Sequence, residues 1–166
     1  MKRLLIILHI CFFVVNCFAQ NSPLCGEWVA NYSILVPNEG GESGIRSVGI
    51  KMHVRIDNYD GQFVVRVKTV DSEAEKTNYR PDAIITSSEN TRISWTHIMG
   101  DDYDWSNDSH VKHAIYKMHC SAIYTGGTLA YHEYWETVYY GMNNMVMKTE
   151  HWGKEDRVLY NANDNW

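Results

Sequence analysis

The chain lacks the features that most often announce a function. It has no segment with a convincing helical period and no C-x-x-C pair. Nor does it carry a nucleophile elbow, a phosphate loop, a dinucleotide fingerprint or an H-E-x-x-H pattern. Its one long apolar run, Leu4 to Val15, is too short to span a bilayer comfortably as a helix. That run follows a positive head, Met1-Lys2-Arg3, and precedes Cys17-Phe18-Ala19-Gln20, with small residues suited to cleavage before Gln20. Residues 1–19 therefore read as an export signal, directing the chain to the periplasm or the extracellular space. A competing reading makes Val14-Val15-Asn16-Cys17 a lipoprotein box with Cys17 acylated, although Asn16 stands where a small residue is wanted.

Basic charge is the next shortage. Removing 19 residues from 166 leaves 147, a single domain over 20–166 by length. Two of the 15 Lys and Arg leave with the signal, so 13 face 20 Asp and Glu, a net charge of −7. With no basic block left, a nucleic-acid backbone is repelled rather than held. Cysteine is also sparse. Only Cys25 and Cys120 remain after processing, and in an oxidising compartment two such thiols are expected to pair. A Cys25–Cys120 bridge would tie the start of the first strand to the barrel wall; the rival reading is two unrelated buried thiols.

What the chain does have is period-2 alternation. Val48, Ile50, Met52, Val54 and Ile56 alternate with Ser47, Gly49, Lys51, His53 and Arg55, the mark of a half-buried strand. Asp60-Gly61 then gives a two-residue hairpin turn, which sets Tyr59 opposite Gln62, Ile56 opposite Val65 and Val54 opposite Val67. Gly126-Gly127 predicts a second hairpin, with Tyr124 facing Leu129, Met118 facing Trp135 and Cys120 facing Glu133. Its inner face then carries Ala114, Tyr116, Met118, Cys120, Ala122, Leu129, Tyr131, Glu133, Trp135 and Tyr139. The outer face carries His113, Lys117, His119, His132, Tyr134 and Glu136, with Lys117 across from Glu136.

About nine strands follow from this pattern: 26–36, the first hairpin, 83–87, 91–99, 112–124, 129–140, 145–152 and 157–161. Asp71 to Asp82 reads as a connecting loop, and Gly100 to Ser109 as an acidic loop without EF-hand spacing. Strands joined by tight turns without helical crossovers run antiparallel. The expected fold is an all-β, antiparallel up-and-down barrel of eight to nine strands, since closure hides the apolar face and the edges. A two-sheet β-sandwich is the alternative.

Gly26-Glu27-Trp28 opens the first strand, and with the strand pattern of the whole processed chain it resembles the entry motif of the lipocalins and their calycin relatives. The resemblance implies that Trp28 plugs one end of the barrel and that Arg157, on the last strand, packs across an indole, a favourable cation–ring contact. The chain departs from the family in two ways. Asp101-Asp102-Tyr103 lacks the Thr of the family's second motif and falls one hairpin early, and the usual C-terminal helix is missing.

Six Trp, eleven Tyr and four Phe either fill a small barrel's core or line a cavity for an apolar or glycan ligand. Glu133 is the one acid on the predicted inner face, where a carboxylate costs several kcal/mol unless paired, bonded or hydrated. A tyrosine hydroxyl or an inward Arg would satisfy it, and so would the polar group of a ligand. The expected ligand-binding residues are Tyr116, Met118, Tyr131, Glu133, Trp135 and Tyr139, with Trp28, Arg157, Cys25 and Cys120 structural. The histidines, scattered over a wet face, predict no metal site, and no cofactor is called for. The expected function is an exported protein that binds a small apolar, aromatic or glycan ligand without catalysis. A polysaccharide hydrolase or lyase on a sandwich, and a surface protein-interaction module, are the alternatives. Glycosidase chemistry would need two carboxylates flanking one bond, and Glu133 and Glu136 point to opposite faces.

Overall fold

Alternation and two tight turns dictate most of the architecture seen in the computed structural model, which describes residues 22–38, 44–103 and 111–163. The expected signal segment with Cys17, and Asp104 and Asp108 of the acidic loop, lie outside these. Nine strands are present: β1 (Gly26–Pro37), β2 (Ile45–Tyr59), β3 (Gln62–Asp71), β4 (Thr77–Tyr79), β5 (Ala83–Ser88), β6 (Arg92–Tyr103), β7 (Val111–Thr125), β8 (Thr128–Gly141) and β9 (Val146–Asn161). No helix occurs among the described residues. All neighbours pair antiparallel in the order β4-β3-β2-β1-β9-β8-β7-β6-β5, and the sheet curls into a half-barrel. This is an all-strand arrangement compatible with a lipocalin-like barrel.

Both glycine turns set the register they predict. Asp60 and Gly61 have φ of 52° and 88°, and Gly126 and Gly127 of 58° and 94°, as a two-residue turn with both central residues left-handed requires. Val54 pairs with Val67 and Ile56 with Val65; Met118 pairs with Trp135 and Lys117 with Glu136. A one-residue slip would have turned each apolar set outward.

The strand order holds a further economy. Counting directions through the antiparallel pairs, β4 and β5 run the same way, and Arg80, Pro81 and Asp82 join them end to end. They are one strand broken in the middle, whose first part pairs with β3 and whose second part pairs with β6. Pro81 cannot donate to a ladder, and it falls at the break. The predicted loop 71–82 thus contains β4. At the other end, one strand, β9, replaces the two expected at 145–152 and 157–161, because Gly153 at φ 61° absorbs an irregularity instead of ending the strand. The total stays at nine because these two differences cancel.

β1 and β9 pair only at Trp28–Asn161 and Val29–Tyr160. Toward Pro37 and Val146 they part, which leaves the inner wall of β7–β9 accessible at that end. The other end is packed: Leu24, Trp28, Ile56, Ile93, Trp95, Leu129 and Leu159 lie in one core with at most 2% exposure. Each aliphatic side chain fully buried there contributes about 1.5–3 kcal/mol. The expected Cys25–Cys120 bridge does not form, and both thiols are free. Parity is the reason: Leu24, Trp28, Ala30 and Tyr32 face the core, so Cys25 falls on the opposite set, whereas Cys120 is buried inside.

Candidate functional site

The inner faces of β7 and β8 bring the predicted residues together in cross-strand rows. Ala122 pairs with Tyr131, Cys120 with Glu133, Met118 with Trp135 and Ala114 with Tyr139. Tyr131, Glu133 and Met118 are buried, while Tyr116, Trp135 and Tyr139 are half-buried. The row is therefore graded, from a dry floor near the packed end to an accessible wall near the open end.

The floor is a charge network around Glu133. One carboxylate oxygen accepts from Arg80 Nη1 at 2.8 Å and from the Tyr131 hydroxyl at 2.6 Å. The other accepts from Arg157 Nη1 at 3.0 Å. Arg80 also donates to the Tyr131 oxygen at 3.0 Å, and Arg157 forms a second ion pair with Glu155. Burial alone would push the Glu133 carboxyl up, but Arg80, the Tyr131 hydrogen bond and Arg157 outweigh it and hold it below the usual range. Burial likewise opposes the Arg80 charge, and the neighbouring Tyr131 and Glu133 reverse that effect. Cys120, 3.2 Å from the Tyr131 hydroxyl, has its thiol pushed up to about 11 by burial. It is a neutral, unreactive side chain at neutral pH. Tyrosine and arginine thus supply the partners that an inward carboxylate requires.

Arg80 reaches this floor because the broken strand carries it inward. His97 secures the break: its ring Nδ1 lies 2.6 Å from the Pro81 carbonyl oxygen, and its Nε2 accepts from Trp95 Nε1–H at 2.9 Å. A carbonyl can only accept, so Nδ1 carries the proton and the ring is neutral. Burial, aided by the Arg80 charge, shifts its pKa downward.

Above the floor stands an aromatic shelf. Trp135 and Trp152 are direct cross-strand partners, stacked with centroids 5.1 Å apart and planes 14° from parallel. Trp135 packs against the core, whereas Trp152 is 48% exposed and donates from its indole nitrogen to Thr137 Oγ1 at 3.1 Å. The left-handed glycine makes this possible, since a Cβ on Gly153 would stand 3.0 Å from Trp135 Cδ1. Farther along the same wall, the Tyr139 hydroxyl donates to Glu150 at 2.9 Å, and the Lys148 ammonium lies 5.5 Å from the Tyr139 ring centre. Apolar ring faces thus alternate with groups able to hydrogen-bond, which suits a flat, partly polar ligand.

Trp28, 2% exposed, donates from Nε1 to the Leu24 carbonyl at 2.8 Å and meets Tyr124 edge-on. The ring under the Arg157 guanidinium is that of Tyr32, 4.0 Å away and four residues beyond Trp28 on the same face of β1. On the outer face His119 stacks on Tyr134 at 4.8 Å, and His132 bonds Asp156 at 2.6 Å. Among the described residues no three His, Cys, Asp or Glu side chains are arranged to hold a metal ion. Sequence reasoning missed Arg80, His97 and Trp152. Arg80 lies in the stretch that reads as a loop, and Trp152 joins the wall only because β9 continues past Gly153. His97 alternates with Ile93 and Trp95, a signal that an inward histidine was available. No protein-family model, curated protein or solved structure matches this chain.

Proposed function

We propose that this is an exported, non-catalytic binding protein that holds a flat apolar, aromatic or glycan ligand on the open inner wall of its half-barrel. The observation that carries the reading is the stacked Trp135–Trp152 pair, with one indole locked against the core and the other half exposed beside Thr137, Tyr139 and Glu150. A large exposed ring fixed by a hydrogen bond loses little freedom on binding, which favours affinity. Glu133 serves as the support beneath the shelf, because both of its oxygens are already engaged by protein donors. The same engagement argues against a hydrolase, which would need two carboxylates flanking one bond. The acids on the accessible wall are likewise engaged, Glu150 with Tyr139 and Lys148 and Glu155 with Arg157.

The test is a titration of the intrinsic tryptophan fluorescence with a naphthalene sulfonate probe and, separately, with a cello-oligosaccharide. Trp152→Ala should abolish binding while leaving the unfolding midpoint within a few degrees, since that ring is half exposed. Trp135→Ala should lose both binding and stability. Undiminished binding in folded Trp152→Ala would refute the proposal.

A further inference from the structure

The opposite, outer face of β1–β4 breaks a rule of sheet design. Across an antiparallel pair, like charges directly opposite one another are destabilising. Yet Arg55 stands directly across from Arg66, and His53 directly across from Lys68. One row of the sheet therefore sets arginine against arginine and the next adds Lys68 on the same face, on a chain whose overall charge is −5. Asp57 partly relieves the arginine pair, accepting from Arg55 Nε at 3.0 Å and from Arg66 Nη1 at 3.1 Å. Glu27 takes His53, 2.7 Å from its Nδ1. Three permanent positive charges thus meet two negative ones, and Lys68 has no hydrogen bond or contact ion pair among the described residues; its charge acts on Glu27 only from a distance.

These side chains surround a depression of about 210 Å³ lined by Glu27, His53, Arg55, Arg66, Lys68 and Tyr79; it is also bordered by Val67, whose side chain packs into the core on the other face. Tyr79 pairs with Lys68 on the edge strand β4 and is 76% exposed, an exposed ring standing beside an unpaired ammonium. Arg66 is also largely exposed, with 62% of its side-chain surface open. The arrangement has a predominantly cationic rim, with Glu27 its one carboxylate, and an aromatic side wall.

We propose that this depression is a second binding site, distinct from the inner wall, for an organic acid that carries its carboxylate on a ring, either a uronate sugar or an aromatic acid. The carboxylate sits between Arg66 and Lys68, where charge-assisted hydrogen bonds are strongest, and the ring lies against Tyr79. The opposed arginines with Lys68 beside them are then the cost of keeping the site open, and a bound anion removes it. The inference does not rest on the aromatic shelf, which occupies the other face of the sheet.

Calorimetric titration of the purified protein at low ionic strength tests it, with D-glucuronate, benzoate and inorganic phosphate as three separate probes. One of the two ring-bearing acids should bind, and which one decides between a glycan and an aromatic source; phosphate, lacking a ring, should bind at least tenfold more weakly. Lys68→Gln and Arg66→Gln should each weaken binding about tenfold, and Tyr79→Ala should erase the preference over phosphate. Arg66 and Tyr79 are exposed and Lys68 is half-buried on the outer face, so the fold should survive, and Lys68→Gln should melt no lower than the wild type in the absence of ligand because its repulsion with the neighbouring Arg66 is gone. Absence of binding by either acid, affinity unchanged in both cation variants, or phosphate binding as well as the acids would overturn the proposal. So would a lower melting temperature for unliganded Lys68→Gln, which would make that lysine structural.

Discussion

Replacing Glu133 by Gln should destabilise the protein far more than removing any surface acid. The glutamate is 5% exposed, and the two guanidinium groups it bridges each show 10% of their side-chain surface. Glutamine keeps the shape and one acceptor but removes the charge. Arg157 retains Glu155, so the group left unbalanced is Arg80, a buried cation whose only ion-pair partner among the described residues is Glu133. Breaking one side of a buried pair costs about 3–5 kcal/mol, because an uncompensated charge stays behind. Against a typical total of about 5–15 kcal/mol, that is about a fifth of the stability or more. The internal control is Glu136→Gln on the outer face, where Glu136 meets Lys117 at 3.1 Å in a partly exposed pair; a pair of that kind contributes about 0–1 kcal/mol.

Urea unfolding followed by tryptophan fluorescence measures both variants, with m expected to stay constant because the same surface is exposed on unfolding. The pH dependence supplies a second readout with a definite sign. Glu133 is held below its ordinary value of 4.5 in the folded protein, so the unfolded chain takes up the proton first. The stabilisation is present in full above about pH 4.5 and drains away as the pH falls through the depressed folded value. Glu133→Gln should lack that acid limb. A loss below about 1 kcal/mol for Glu133→Gln, no larger than that of the surface control, would refute the reasoning.

Three further outcomes follow from the same geometry. His97 is neutral and its pKa is depressed below 6.5, so its contribution is complete above that value and is lost as the pH falls below it. The slope should approach about 1.4 kcal/mol per pH unit, and a flat difference between wild type and His97→Gln in urea midpoints from pH 7 to 5 would contradict it. Gly153→Ala should cost about 1–2 kcal/mol from the left-handed backbone alone; since the new methyl would also press on Trp135, its near-ultraviolet circular dichroism should lose the coupled tryptophan signal, and an unchanged spectrum would count against the shelf. Thiol titration of the unfolded, unreduced chain from Gln20 onward should find two free cysteines, Cys25 and Cys120; finding none would restore the disulfide.

The parts of the fold legible in the sequence were those fixed by neighbours in the chain. Asp60-Gly61 and Gly126-Gly127 each join strands whose alternation is already in phase, so turn chemistry and pattern agree and register follows from two residues. Inner and outer faces then assign themselves, which is why the sequence alone puts Tyr131, Glu133 and Trp135 on the inner face. Three features escaped because their causes lie far apart in the chain. A three-residue strand such as β4 is too short for any periodic signal, and it forms because β3 offers it an edge. Gly153 looked like a strand end, since an isolated glycine reads equally as a break or a bulge, and only pairing with β8 decides between them. The Cys25–Cys120 bridge came from counting thiols, whereas one residue of parity separates the face of Cys25 from the interior where Cys120 lies.

Arg80 is the instructive omission, because the sequence posed the problem it solves. An acid predicted to point inward demanded a cation, and Arg157 was available on the right face of the last strand. One cation would have balanced the charge, and Glu133 has two because Arg157 is also committed to Glu155 and lies over Tyr32. The second cation comes from the point where the chain crosses between the two edges of the sheet, 53 residues from its partner. Proline at that crossing ends the pairing with β3, His97 holds the Pro81 carbonyl, and the side chain before the proline enters the interior. The break in the strand and the charge network beneath the aromatic shelf are therefore one feature. A Pro81→Ala substitution that let β4 run straight into β5 should withdraw Arg80 from Glu133, so its stability loss should overlap with that of Glu133→Gln rather than add to it. A double-mutant cycle measures that overlap directly, since residues acting in one network show a coupling energy of about 0.5–3 kcal/mol. Strict additivity of the two losses would mean that the kink and the buried charges are independent and that Arg80 reaches its partner without help from the proline.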